Sequence, residues 1–137
     1  MTVPRLLFVC VHNAGRSQMA AAFARHLGGA NVEVISAGSA PGPAIHPGVA
    51  AALAEVGIDV GGVKPRRLER ADVEGATVVV TMGCGDACPV VPGVPREDWP
   101  LLDPAGKPLE QVRPIREDIR ARVEDLLRRL GVPYGVG

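Results

Sequence analysis

The residue types that could do chemistry are concentrated in residues 9–19, which read VCVHNAGRSQM. Cys10 ends an apolar run, and Arg16 follows it after five residues, with Asn13 and Gly15 between them. A loop between the end of a strand and the start of a helix turns several backbone N–H groups toward one point, backed by the positive end of the helix dipole. Arg16 adds a planar fork of donors that fits a tetrahedral oxyanion. The spacing therefore predicts an anion cradle with a thiol at its base.

Cys10 has the setting of a nucleophile, because the groups that attract an anion also favour the thiolate over the thiol. Ser17 can donate a hydrogen bond to that thiolate. Asn13 and Gly15 tolerate the left-handed backbone angles that the loop is expected to need, and His12 is expected to point to solvent. A buried strand cysteine beside an exposed arginine is the competing interpretation. The predicted oxyanion-binding residues are Val11, His12, Asn13, Ala14, Gly15, Arg16 and Ser17.

A second pair of thiols, Cys84 and Cys88, is separated only by Gly-Asp-Ala. A closed structural zinc site needs four ligands, and the three histidines of the chain are scattered at positions 12, 26 and 46, so zinc is disfavoured. We expect no resident metal or cofactor. The residues alone leave a redox-active pair and inert surface thiols both open.

Three strands are predicted from apolar and β-branched runs at residues 5–11, 32–35 and 76–82. Residues 58–70 are too irregular to assign, although one helical turn fits residues 68–72. Residues 83–103 carry several Gly and Pro breaks and are predicted to form a long functional loop.

Helical periodicity predicts three helices. They run from Ser17 as the N-cap to Gly28, from Pro47 to Gly57, and from Pro108 to Leu130. Pro114 lies inside the last pattern and predicts a kink or a separate short helix there. The alternation of strands and helices predicts an α/β three-layer sandwich, with a mainly parallel four-stranded sheet and helices on both faces. Ligands bind beyond the carboxyl ends of such strands, where Cys10 and the loop after residue 82 would meet.

Length and charge limit the class of protein. Residues 1–137 fit a single domain, and fifteen basic residues balance fifteen acidic ones, so neither nucleic acid nor an acidic membrane surface is an expected partner. The short apolar start does not fit a secretory signal, and three cysteines make an odd number for a secreted disulfide framework. We therefore expect a cytoplasmic protein.

The motifs together resemble one known family. Phe8 to Gln18 is similar to the phosphate loop of the low-molecular-weight tyrosine phosphatase superfamily, and in particular of its thiol-coupled arsenate reductase branch. Further likeness lies in the segments SAG at 36–38, VTMGCGDACP at 80–89, EDW at 97–99 and DPAG at 103–106. The resemblance implies the three-layer fold predicted above and an enzyme that reduces arsenate, with phosphate or sulfate as mimics of the substrate.

The resemblance also implies residue roles. Cys10 would attack the oxyanion, Arg16 and the loop amides would hold it, and Asp103 before Pro104 would protonate the leaving oxygen. Cys84 would then attack Cys10 and release arsenite, and Cys88 would resolve the disulfide for an external reductant. The short spacing of this pair departs from the best-known thioredoxin-coupled pattern, so the resemblance leaves open thioredoxin and a low-molecular-weight thiol such as mycothiol.

Two other functions remain as alternatives. The first is a low-molecular-weight phosphatase acting on phosphotyrosine or small phosphate esters, with the same Cys10, Arg16 and Asp103. In that branch an aromatic residue commonly follows the Asp-Pro pair, whereas Ala105 and Gly106 follow here, and Trp99 is the one candidate for an aromatic wall. The second alternative is a protein that sequesters or senses trivalent arsenic through its three thiols without turnover.

Overall fold

Residues 3–83 and 91–135 are described by the computed structural model, and within them four strands alternate with helices. The strands are β1 (Arg5–Cys10), β2 (Glu33–Gly38), β3 (Val78–Thr81) and β4 (Arg96–Asp98). The α-helices are α1 (Arg16–Gly28), α2 (Pro47–Ala54), α3 (Arg70–Glu74) and α4 (Leu109–Arg129).

The strands form one parallel sheet in the order β2-β1-β3-β4, which confirms the predicted four-stranded sheet. The registers pair Cys10 with Gly38, Val9 with Thr81, and Thr81 with Asp98. The carboxyl ends of all four strands therefore meet at one edge, and Cys10 lies on a central strand of that edge. The fourth strand lies inside the segment that we predicted to be a loop.

The central strand β1 is covered on both faces because its successive side chains alternate between two apolar layers. In β1, Leu6 and Phe8 pack into the layer that contains α1, α2 and α4, whereas Leu7 and Val9 pack into the layer that contains Val73 of α3. Helices therefore lie on both faces of the sheet, as predicted.

Helix α4 is one continuous helix, so the separate short helix suggested by Pro114 is not formed. Its buried stripe recurs at spacings of three and four, as the sequence predicts, and consists of Val112, Ile115, Ile119, Val123, Leu126 and Leu127. The second helix ends earlier than predicted, at Ala54. No helix within the described residues is both long enough and apolar enough to cross a membrane.

Candidate functional site

The loop after β1 turns its carbonyl groups away from the predicted anion position. The carbonyls of Cys10, Val11, His12 and Ala14 accept hydrogen bonds of 2.8 to 3.3 Å from backbone N–H groups of residues 39–46. In a planar trans peptide the N–H of the next residue points opposite to that carbonyl. The N–H groups that follow these four carbonyls therefore face the other side of the loop, which is the arrangement that an oxyanion cradle requires.

The Cys10 sulfur is buried at the base of this loop and receives polar contacts from two residues. The backbone N–H of Asn13 donates to Cys10 Sγ at 3.2 Å, and Ser17 Oγ lies 2.8 Å from the same sulfur. Both contacts place a group that can donate a hydrogen bond against the sulfur. The expected Ser17 contact with the thiol is therefore present.

Ser17 is not the N-cap of α1, and that prediction was wrong. The N-cap is Gly15, two residues earlier, so the helix begins at Arg16, and no side chain caps it. The Ser17 hydroxyl instead accepts a hydrogen bond of 2.7 Å from Asn13 Nδ2. With one lone pair occupied in this way, its O–H hydrogen is free to donate to the Cys10 thiolate.

Asn13 shapes the loop from within. It is fully buried, and its φ of 51° is the one positive value among the non-glycine residues that the structure describes. Its Oδ1 accepts a 3.0 Å hydrogen bond from the backbone N–H of Arg66. A backbone N–H can only donate, so this contact fixes which end of the Asn13 amide faces Ser17. Sequence reasoning missed Arg66, because a main-chain donor leaves no signature in the residue type.

Gly15 and Gly38 leave no room for a side chain because other parts of the chain pack closely against them, and neither has a left-handed backbone conformation. Gly15 has a φ of −133°, which corrects the expectation of a left-handed residue there. A Cβ at Gly15 would lie 3.0 Å from Cγ of Pro104, and a Cβ at Gly38 would lie 2.6 Å from the Val11 oxygen. The loop is thus confined between Pro104 on one side and the end of β2 on the other.

Arg16 extends its guanidinium toward the segment that carries Asp103. Nη1 donates to the Leu101 carbonyl at 3.3 Å, and Nη2 lies 3.8 Å from Asp103 Oδ2. A Cβ at Gly83, whose φ is 85°, would lie 2.9 Å from Nη1. The Arg16 side chain is only 16% exposed. The structure therefore brings together the predicted arginine and the predicted acid.

Asp103 is half in solvent, with 51% of its side chain exposed. Its Oδ1 accepts a hydrogen bond from the Ala105 N–H at 3.0 Å, so it also supports the turn in which it lies. The next residue, Pro104, is buried against Gly15. The carboxylate is thus held beside the loop yet open to exchange protons with water.

Trp99 does not form a wall for an aromatic substrate. It is buried, packs 5.8 Å from Phe8 between ring centroids, and donates from Nε1 to Glu97 Oε1 at 2.9 Å. Phe23 is also buried, and Tyr134 packs against the same core. These are all four aromatic residues of the chain, so none lines the site as a substrate wall.

An ion pair between Arg129 and Glu97 fixes β4, the strand that precedes Asp103. Arg129 on α4 makes two hydrogen bonds of 2.9 Å to the Glu97 carboxylate on β4. These bonds, chiefly, hold the pKa of Glu97 below its ordinary value, and the Trp99 N–H adds to the effect, whereas desolvation opposes it. The strand is thereby tied to both the core and the last helix.

Of the remaining predicted site residues, His12 is exposed and donates from Nδ1 to the Ala40 carbonyl at 3.1 Å. Cys84 and Cys88 lie outside the described residues. Among residues 3–83 and 91–135, no group of three or more His, Cys, Asp or Glu side chains could hold a metal ion.

A cavity of about 640 Å³ lies between α2 and residues 57–63, and its lining contains neither a thiol nor an arginine. Among its lining residues are Ile45, Ala50, Ala54, Ile58 and Val60. The predicted nucleophile ends β1 and the predicted oxyanion donors follow it in the next loop, so the candidate site is placed there and not at the cavity.

A buried cysteine ends the first strand of the parallel sheet, and an arginine begins the first helix after a short loop. This arrangement is typical of one class of enzymes that act on oxyanions. The chain belongs to that class: residues 5–132 match the family model described as low molecular weight phosphotyrosine protein phosphatase.

Within this family the chain is an arsenate reductase homologue. It is 42% identical over 125 residues to a protein of Halobacterium salinarum named putative arsenate reductase, with 87% of each chain covered. It is similar to the structure of a thioredoxin-dependent arsenate reductase from Corynebacterium glutamicum, with a TM-score of 0.83 and 41% identity, covering 94% of this chain and 62% of that one. A structure titled an arsenate reductase in the phosphate binding state has a TM-score of 0.82 and 35% identity, covering 93% and 99%.

Proposed function

We propose that this chain reduces arsenate to arsenite, with Cys10 as the nucleophile and a thiol as the source of electrons. The observation that carries the proposal is the buried Cys10 sulfur, which accepts a hydrogen bond from the Asn13 N–H and lies 2.8 Å from the Ser17 hydroxyl oxygen, at the base of the predicted anion-binding loop. Relatives that share this fold and are named arsenate reductases support arsenate as the substrate.

The first step forms a bond between sulfur and arsenic. Arsenate has the charge and shape of phosphate, so the loop amides and the Arg16 fork can hold the oxygens that do not react. The Cys10 thiolate attacks arsenic while one As–O bond breaks. Asp103, which reaches to within 3.8 Å of Arg16, gives a proton to the leaving oxygen. In this scheme arsenic remains pentavalent after the first step.

The second step moves two electrons to arsenic. The Cys84 thiolate attacks the Cys10 sulfur, the new S–S bond forms, and the electron pair of the S–As bond stays on arsenic, which leaves as arsenite. Cys88 then attacks the Cys84 sulfur and releases the Cys10 thiolate. The proposal for these two cysteines rests on their spacing in the sequence and on the family resemblance.

We propose thioredoxin as the external reductant, with a small thiol such as mycothiol as the alternative donor. The 41% identity to the thioredoxin-dependent enzyme of Corynebacterium glutamicum favours thioredoxin. The variant Cys88→Ala separates the donors. With thioredoxin as donor it stops after one turnover, whereas with a small thiol that attacks the Cys10 adduct directly it retains multiple turnovers.

The experiment that tests the function measures reductant consumption in the presence of arsenate. We expect steady-state oxidation of NADPH through thioredoxin reductase and thioredoxin, and no turnover by Cys10→Ser. Arg16→Lys keeps the positive charge but removes the planar set of guanidinium donors. This variant therefore tests oxyanion binding and should raise the KM for arsenate. Arsenite binding without consumption of any reductant would instead favour a sequestering protein, and the proposed function would then be wrong.

The match to the phosphatase family supports the phosphatase alternative, but the site offers no aromatic side chain against which a phosphotyrosine ring could pack. Because all four aromatic side chains pack elsewhere, a phosphotyrosine ring gains no stacking partner from this chain. We therefore expect weak hydrolysis of para-nitrophenyl phosphate, by the same Cys10, at a kcat/KM far below that for arsenate. A higher value for the aryl phosphate would reverse the ranking.

A further inference from the structure

Gln18, at the start of α1, is a polar side chain buried beside the reactive loop. It is only 1% exposed, and its Nε2 donates to Asn13 Oδ1 at 3.1 Å. Its Oε1 has no hydrogen-bond partner in the part of the chain that the structure describes. An apolar residue of the same length would fill the same space without desolvating a carbonyl. Packing therefore does not account for a glutamine here.

The Gln18 amide is the second of two donors to one oxygen. The Arg66 N–H occupies one lone pair of Asn13 Oδ1, and Gln18 Nε2 occupies the other. A single hydrogen bond leaves a carboxamide free to tilt about that contact, whereas two hold its plane. The plane matters because Asn13 Nδ2, at the other end, donates to Ser17 Oγ and so directs the Ser17 hydrogen toward the Cys10 sulfur.

We propose that Gln18 is a positioning residue for the nucleophile. It touches no substrate, because it is buried beneath the loop, and it acts through Asn13 and Ser17 on the hydrogen bonding and reactivity of the Cys10 sulfur. The proposal deepens the proposed function and depends on it only in taking Cys10 as the nucleophile.

The test begins with thiol reactivity, which does not require arsenate. In a Cys84→Ala/Cys88→Ala background Cys10 is the one remaining thiol of the chain. In that background, iodoacetamide should alkylate Cys10 about fivefold more slowly in the Gln18→Met variant than in the protein that keeps Gln18. This factor corresponds to one net hydrogen bond. The matched control is Gln111→Met, an exposed glutamine on α4, which should leave the rate unchanged.

The second measurement asks whether Gln18 acts through Ser17. Ser17→Ala removes the hydroxyl that Gln18 is proposed to direct, so Gln18→Met should add less than a twofold change in alkylation rate to Ser17→Ala. In the arsenate assay with all cysteines present, Gln18→Met should lower kcat by about fivefold and leave KM within twofold, because the loop amides and Arg16 remain in place.

Two outcomes would overturn the positioning role: alkylation of Gln18→Met at the Gln18 rate, or a full fivefold effect that persists in Ser17→Ala. Gln18→Leu serves as a second variant, and the cycle is performed with whichever of the two keeps the parent melting temperature. A chain that never reduces arsenate, yet shows the alkylation pattern, would contradict the proposed function and support the role of Gln18.

Discussion

Replacing Gly38 by alanine tests whether the position of the loop backbone controls catalysis. The new Cβ would lie 2.6 Å from the Val11 oxygen and 3.0 Å from the Asn13 nitrogen, where ordinary contact begins at 3.4 Å. The loop must therefore move by most of an ångström, and the Asn13 N–H is the group that donates to Cys10 Sγ. A displacement of this size costs on the order of 10- to 100-fold in rate. We expect kcat for arsenate reduction to fall by that factor.

The protein should nevertheless remain folded, because overpacking at one position costs about 1–3 kcal/mol and a typical domain is stable by about 5–15 kcal/mol. The assay compares kcat with the free energy of unfolding from urea titration. Gly48→Ala is the matched control: its Cβ would meet Lys107 O at 3.6 Å and Val112 Cγ2 at 3.8 Å, both ordinary contacts. Gly48 lies in α2, where alanine should be neutral or should stabilise the fold by up to about 1 kcal/mol. A Gly38→Ala enzyme with parent kcat would refute the reasoning.

Three further predictions concern the acid and its supports. Asp103→Asn should lower single-turnover arsenic release by about 100-fold or more and leave Cys10 alkylation unchanged; an unchanged rate would remove Asp103 from the mechanism. Glu97→Gln should destabilise the fold at neutral pH. The difference in free energy of unfolding between the parent and this variant should shrink in acid. Since Arg129 lowers the Glu97 pKa in the folded state, the carboxylate contributes fully above the unfolded carboxyl pKa of about 4.3 and loses its contribution as pH falls through the lower folded value. Urea titrations at pH 7 and pH 3 check this, and an equal gap at both would contradict it. Trp99→Phe should lose about 1 kcal/mol of stability with its Glu97 hydrogen bond and keep its KM for para-nitrophenyl phosphate; a raised KM would return Trp99 to the site wall.

The sheet could be predicted because it leaves a local pattern, and so does the loop that the structure places around the Cys10 sulfur. The run that ends at Cys10 is apolar on both faces. The loop after it combines Asn13, Gly15 and Arg16, residue types that suit a tight loop that binds an anion. Strand β4 could not be predicted in the same way, because Arg96–Asp98 is a short, charged edge strand whose pairing with β3 uses backbone groups. Edge strands carry little apolar signal.

The capping error at Ser17 has a similar origin. A serine before an apolar helical pattern satisfies the rule for an N-cap, but here the sulfur of Cys10 and the Asn13 amide compete for the same hydroxyl. Those contacts bring together residues on a strand, a loop and a helix, and only the folded chain shows their distances. The Arg66 N–H to Asn13 contact is likewise absent from any sequence pattern.

Pro104 packs so closely on Gly15 that a Cβ there would lie 3.0 Å from the proline ring, which leaves no free space between the segment of Asp103 and the loop after β1. A larger side chain at position 15 would push the aspartate outward while leaving the thiol seated. Among phosphate esters, such a variant should then act better on dinitrophenyl phosphate, whose departing oxygen needs no proton, than on esters that depend on protonation by Asp103. The small size of residue 15 would thus matter for the chemistry of the leaving group as well as for packing.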